Sequence, residues 1–200
     1  MHDVLFNINA DGWCEGAHWE PSPNCDERPE GSTVSLLLMH NISLPPDEFG
    51  GPYIADFFGN RLDYDAHPYF ERLRPLRVSA HFLIRRDGAV MQFVSTDARA
   101  WHAGVSTFAG RDRCNDFSIG IEMEGSDFQP FENDQYSALA HLTNALLARY
   151  RLTDLVGHEH VAPGRKTDPG PYFDWVRYRE SLRRSDLPGR NDALPRMPIA

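Results

Sequence analysis

Nine histidines in a chain of 200 are the first residues here that could do chemistry, and several stand at the ends of apolar runs or beside Gly and Pro. Neutral imidazole serves many structural purposes, so one histidine carries little weight and a set carries more. His40 closes the run TVSLLLMH, His158 closes LTDLVGH, and Asp168 follows in the loop KTDPGP, where two prolines restrict the backbone. Two imidazoles and a carboxylate form a hydrolytic zinc set that leaves a fourth tetrahedral position for water. The long separation of the two histidines is no motif in itself, and His81, His102 and His160 are alternative ligands. His158 and His160, two apart, would share one face of an extended chain and chelate an ion together.

Other groups fit the same chemistry. FSIGIEME alternates: Phe117, Ile119, Ile121 and Met123 point to a core, and Ser118, Gly120, Glu122 and Glu124 point the other way. Glu122 is the candidate to take or orient a water proton. Glu124 reads instead as an exposed acid on a half-solvated strand. Lys166 is the only lysine among 20 Lys and Arg, and its ammonium stands two residues from Asp168, within reach of an oxyanion forming there. Trp101-His102-Ala103-Gly104 is a loop that can stack on a sugar or peptide, with an anchoring tryptophan as the plainer alternative. Arg111, Arg113 and Arg165 lie in loops where guanidinium forks bind carboxylates, or where they are merely solvated.

These residues need elements to hold them. TVSLLLMH (33–40) reads as a buried strand ending at His40, and PYIADFFGN as a short helix opened by Pro52 and stopped by Gly59 and Asn60. RVSAHFLI and AVMQFVS, joined through an Asp-Gly turn, read as a hairpin. Residues 135–150 keep helical spacing behind Asn133 or Asp134 as N-cap. LTDLVGH is a strand and YFDWVRYRESLRR a closing helix. Strands interleaved with helices and one hairpin give a single-domain α/β fold with a central mixed β-sheet flanked by helices and sites on loops at the strand ends. Residues 1–32 read as an irregular N-terminal segment, 33–184 as the domain, and 185–200 as a loosely held tail.

Composition bounds the function. The chain carries 41% hydrophobic residues, ordinary for a globular domain, and a net charge of -9 that repels a phosphate backbone. Nucleic acid and membrane are not expected partners, since no apolar run approaches the length of a span and the N-terminus lacks a signal-peptide pattern. Three widely spaced cysteines suit reduced thiols in a cytoplasm.

The blocks LLMHNISLPPDEFGGPYI, RVSAHFLIRRDGAVMQFV, RAWHAGVSTFAGRDRCNDFSIGIEMEG and GHEHVAPGRKTDPGPYFDW resemble the zinc-dependent N-acetylmuramoyl-L-alanine amidase family, in order from about residue 33 to 180. That family includes phage T7-type lysozyme amidases and peptidoglycan recognition proteins, and the likeness is to its cytoplasmic branch acting on 1,6-anhydro-muropeptides. The resemblance implies a groove at the strand ends and one Zn2+ per chain held by His40, His158 and Asp168. It implies Glu122 near the zinc water, Lys166 near the scissile carbonyl, Arg113 and Arg165 binding peptide carboxylates, and Asn41 and Trp101 lining the groove. The implied reaction cleaves the amide between the lactyl group of N-acetylmuramic acid and L-alanine, on a small-molecule muropeptide; the chain is expected to be a monomer. The alternatives are an amidase of polymeric peptidoglycan and a non-catalytic recognition module.

Overall fold

A computed structural model describes residues 6–184 and 194–199. Six strands form the central sheet: β1 (His18–Trp19), β2 (Leu36–Ile42), β3 (Phe82–Ile84), β4 (Val90–Gln92), β5 (Ser118–Glu124) and β6 (Asp154–Gly157). Their spatial order is β6-β2-β5-β3-β4-β1. Within this sheet β6–β2, β2–β5, β5–β3 and β4–β1 pair in parallel, and only the β3–β4 hairpin is antiparallel. The mixed sheet expected from the sequence is therefore present, with the predicted Asp-Gly turn closing the hairpin through Gly88 at φ +82°. Among the described residues four α-helices accompany it: α1 (Tyr53–Phe58), α2 (Asn133–Arg149), α3 (His158–Val161) and α4 (Trp175–Arg184). Among the described residues no helix is long and apolar enough to cross a membrane.

Period-2 alternation sets the layers. Leu37 and Met39 of β2 and Ile119, Ile121 and Met123 of β5 pack with Leu139, Leu142 and Leu146 of α2 and Tyr178 of α4. Each such side chain contributes roughly 1.5–3 kcal/mol by leaving water. On the opposite face Leu83 packs with Ile54, Phe57 and Phe58 of α1. Leu36, Leu38 and Val156 meet Ala103, Cys114 and Phe117 from the loops that close over them.

Several local expectations are corrected. β2 runs past His40 to Ile42, because its parallel register with β5 continues to Glu124. The second face of β5 is not half-solvated: every residue of the strand is buried, since β5 lies between two parallel partners and loops cover it. Glu124 is 1% exposed. The N-cap of α2 is Glu132, whose backbone N–H donates to Gln135 Oε1 at 3.0 Å, rather than Asn133 or Asp134. His158 does not end a strand; it opens α3.

The N-terminal segment contributes β1 to the sheet, a pairing of Asn7–Ile8 with Cys14–Glu15, and Cys25–Asp26 paired with Arg99–Ala100. The tail prediction falls partly outside the described residues, at 185–193 and 200. Within 194–199, Arg196 forms a parallel bridge with Asp154 and its Nε lies 2.8 Å from Asp154 Oδ1. Cys14, Cys25 and Cys114 are free.

Candidate active site

Parallel strands bring their C-terminal ends to one edge, and the groups that could do chemistry collect there. Glu122 on β5 is in register with His40 on β2, so the two face the same side across one pair of strands. β6 delivers His158 at the first position of α3. Asp168 lies in the following loop, held back onto that helix by Glu159 N–H donating to Asp168 O at 2.9 Å.

Three side-chain atoms form a near-equilateral triangle. His40 Nδ1 is 3.0 Å from His158 Nδ1 and 2.9 Å from Asp168 Oδ2, and His158 Nδ1 is 3.0 Å from the same oxygen. His40 and His158 are buried, and the three residues make up a donor group suited to a metal ion. His158 Nε2 is 2.9 Å from the carbonyl of Ala103, which only accepts, so Nε2 carries a proton and Nδ1 is the nitrogen left to offer a lone pair. The His158–Asp168 edge then sets acceptor against acceptor. One proton on His40 Nδ1 could relieve at most one other edge, whereas a cation at the centre satisfies all three. A tetrahedral zinc with ligands at about 2.0–2.1 Å sets its ligand atoms about 3.3 Å apart, a few tenths of an ångström wider than this triangle. The donor set fits such an ion.

Electrostatics follow burial. His40 is pushed down to about 4 by burial, against the pull of Asp168, so it is neutral at pH 7. Glu122 goes the other way: burial first, then the Asp168 charge, raise it well above the carboxylate range, with Lys166 opposing. Its Oε2 is buried without a hydrogen-bond partner among the described residues. Asn41, Glu122, Lys166 and the triangle residues line one cavity of about 220 Å³.

The alternative ligands stand elsewhere. His81 Nδ1 accepts from Gly120 N–H at 3.0 Å and its Nε2 contacts Ala98 O at 3.1 Å, so both nitrogens are engaged behind the sheet face. The expectation that His158 and His160 share a face is overturned by the helical turn of α3. His160 Nδ1 there accepts from Gly157 N–H at 3.1 Å and its ring meets Trp175 edge-on. His102 lines the cavity with Nδ1 2.9 Å from His40 Nε2.

Of the remaining predicted residues Asn41 lines the cavity, and Trp101, Arg111, Arg113 and Arg165 stand outside its lining. Asn41 Nδ2 donates to Asp127 Oδ1 at 2.7 Å and Pro169 O at 3.0 Å. Trp101 Nε1 donates to Asp26 at 3.1 Å. Arg165 donates to the carbonyls of Ala103 and Val105 at 2.9 and 2.5 Å. Arg113 has a 68% exposed side chain 3.3 Å from Asp116, and Arg111 lies over the Phe117 ring. Sequence reasoning missed Phe57, Phe58, Leu76, Val78 and Ser79 on the cavity wall. The helical reading of PYIADFFGN was the available signal for the two phenylalanines.

Known proteins share this arrangement of chain. Residues 30–171 match the family model described as N-acetylmuramoyl-L-alanine amidase. The 1,6-anhydro-N-acetylmuramyl-L-alanine amidase AmpD of Citrobacter freundii is 56% identical over 171 residues, covering 84% of this chain and 91% of that protein. A crystal structure of a selenomethionine AmpD derivative superposes with TM-score 0.84 at 55% identity, covering 86% of this chain and 97% of the other. The E. coli amidase AmiD, in complex with anhydro-N-acetylmuramic acid-L-Ala-D-γ-Glu-L-Lys, superposes with TM-score 0.56 at 26% identity, over 88% of this chain and 65% of that one. With a match of this length laid over a strand-end cavity of three histidines and three other ionisable groups, the chain belongs to the N-acetylmuramoyl-L-alanine amidase family.

Proposed function

We propose that this chain hydrolyses the amide between the lactyl group of 1,6-anhydro-N-acetylmuramic acid and L-alanine, on small muropeptides recycled in the cytoplasm. The observation that carries the proposal is the triangle of His40, His158 and Asp168, three acceptor atoms 2.9–3.0 Å apart at the wall of the cavity that Glu122 and Lys166 share. His40, His158 and Asp168 would hold one zinc ion, which supplies Lewis acidity toward water and a carbonyl oxygen.

The protein's own groups do the rest. Glu122, raised by burial, takes a proton from the attacking water at Oε2 and returns it to the leaving alanine nitrogen. The Lys166 ammonium opposes the negative charge that develops on the carbonyl oxygen. Phe57, Phe58, Leu76 and Val78 give the same cavity an apolar lining. Arg113 extends an exposed guanidinium toward solvent, suited to a stem-peptide carboxylate. Trp101 and Asn41 shape the groove from positions fixed by Asp26, Asp127 and Pro169, and Arg165 acts from the turn it fastens. Three free thiols suit a reducing compartment, and the chain is proposed to act as a monomer.

Mass spectrometry of products from 1,6-anhydro-muramyl tripeptide tests this reading. Free tripeptide should appear, stop with a chelator and return with zinc. Cleavage of polymeric peptidoglycan alone would redirect the assignment to wall hydrolysis, and binding without cleavage of either would indicate a recognition module.

A further inference from the structure

The two histidines of the triangle meet the same short turn at their backs. His40 Nε2 lies 2.9 Å from His102 Nδ1, and His158 Nε2 lies 2.9 Å from the carbonyl of the next residue, Ala103. The turn is itself pinned from two sides. Asn115 Oδ1 accepts from the backbone N–H groups of both His102 and Ala103, at 3.2 and 2.8 Å. Arg165 donates to Ala103 O and Val105 O. The His102 ring lies against β5 at Gly120, where a Cβ would come within 2.5 Å of its Nδ1, so only glycine leaves room for it. Its far nitrogen is 3.3 Å from Ser118 Oγ.

We infer that the 101–105 turn orients the metal centre and that His102 is a positioning residue, accepting the His40 Nε2–H at Nδ1 while Ala103 accepts the His158 Nε2–H. Both inner nitrogens then present lone pairs toward Asp168. The proton order is consistent along the row: His40 Nε2–H donates to His102 Nδ1, and His102 Nε2–H donates to Ser118 Oγ. Reversing the row would put a proton on His40 Nδ1 and point it into the triangle, which excludes a cation. The groups behind a metal-binding histidine fix its tautomer and ring direction, and their loss typically costs about 10–100-fold in metal affinity. Here an imidazole takes the place usually filled by a carboxylate or carbonyl. Asn115 and Arg165 act one step further back, on the turn rather than on the ligands.

The inference rests on the metal assignment made above, and the tests separate the two. Long-range 1H–15N spectra of the zinc-free wild-type protein should show His40 and His158 protonated at Nε2; a proton on His40 Nδ1 overturns the inference without any variant. Zinc affinity by chelator competition is the second readout. His102→Leu should bind zinc about 10–100-fold more weakly. His102→Asn, whose Oδ1 overlies the lost Nδ1, should recover to within about threefold of wild type. Wild-type affinity in His102→Leu, or equal weakness in both variants, overturns the positioning role. Failure of the wild-type protein itself to bind zinc overturns the metal assignment and this inference with it.

Discussion

Glu122 and Glu124 stand two residues apart on the same face of β5, both buried, and they do different work. Glu124 is fully engaged: its Oε1 accepts from Gly50 N–H at 2.7 Å, its Oε2 accepts from Arg86 N–H at 3.0 Å, and Arg85 Nε is 3.5 Å away. Those bonds tie the loop before α1 and the β3–β4 hairpin to the sheet. Glu122 has a buried oxygen with no such donor and faces Asp168 and Lys166 across the cavity. Residue type and burial are the same; the supply of donors differs. A carboxylate surrounded by donors holds structure in place, whereas one starved of donors is left ready to take a proton.

The sharpest break of that contrast is Glu122→Gln, which keeps the shape and removes the base. Turnover on anhydro-muramyl tripeptide should fall by about 10²–10⁴ with zinc content unchanged. Turnover within threefold of wild type would sink the role given to Glu122. Lys166→Ala should come next, losing about 10²–10³ in kcat while still binding zinc. His158→Ala serves as the contrasting control, losing zinc and turnover together. A Lys166→Ala protein that turns over normally would show that the oxyanion is held without it.

The same comparison explains how much the sequence disclosed. His40, Glu122 and His158 could be read as chemical candidates because each follows or interrupts a short apolar run, and parallel strands bring such positions to one edge. Burial of Glu122 and Glu124 was not legible, because period-2 alternation reports only that the two faces differ. What covers the second face is irregular loops, among them Gly50, Arg86 and His102, with no period of their own. The turn that opens α3 was hidden too: Gly157 precedes it where Ser, Thr or Asp would announce a cap, and His160 supplies the bond to Gly157 instead. The contact of His40 with His102 joins residues 62 apart and leaves no local trace. Gly120, which makes room for that ring, looks in sequence like any small residue on a strand.

Glu124→Gln tests the structural half of the contrast. Taking the charge from a buried, paired carboxylate should cost about 3 kcal/mol, read as a lower denaturation midpoint, with kcat near wild type well below the transition. A large loss of turnover with unchanged stability would assign Glu124 to the reaction and dissolve the distinction.

The smallest effect has the most informative sign. Glu122 titrates higher in the folded protein than in the unfolded chain, whose value is 4.5, so between those two values the folded state binds the proton and the unfolded state does not. Stability from this group therefore falls as pH rises through that window, and its donor-poor surroundings work against the fold wherever the unfolded chain is ionised. Glu122→Gln should raise the Tm of the zinc-free protein at pH 7 by about 2–4 °C, the shift that ~1 kcal/mol makes in a domain of this size. The gain should vanish below about pH 4, where glutamate is protonated in both states. Glu124→Gln should show the opposite sign at pH 7. An unchanged or lower Tm for Glu122→Gln at pH 7 would mean that the folded protein already stabilises the Glu122 charge, and the two carboxylates would then differ in position alone.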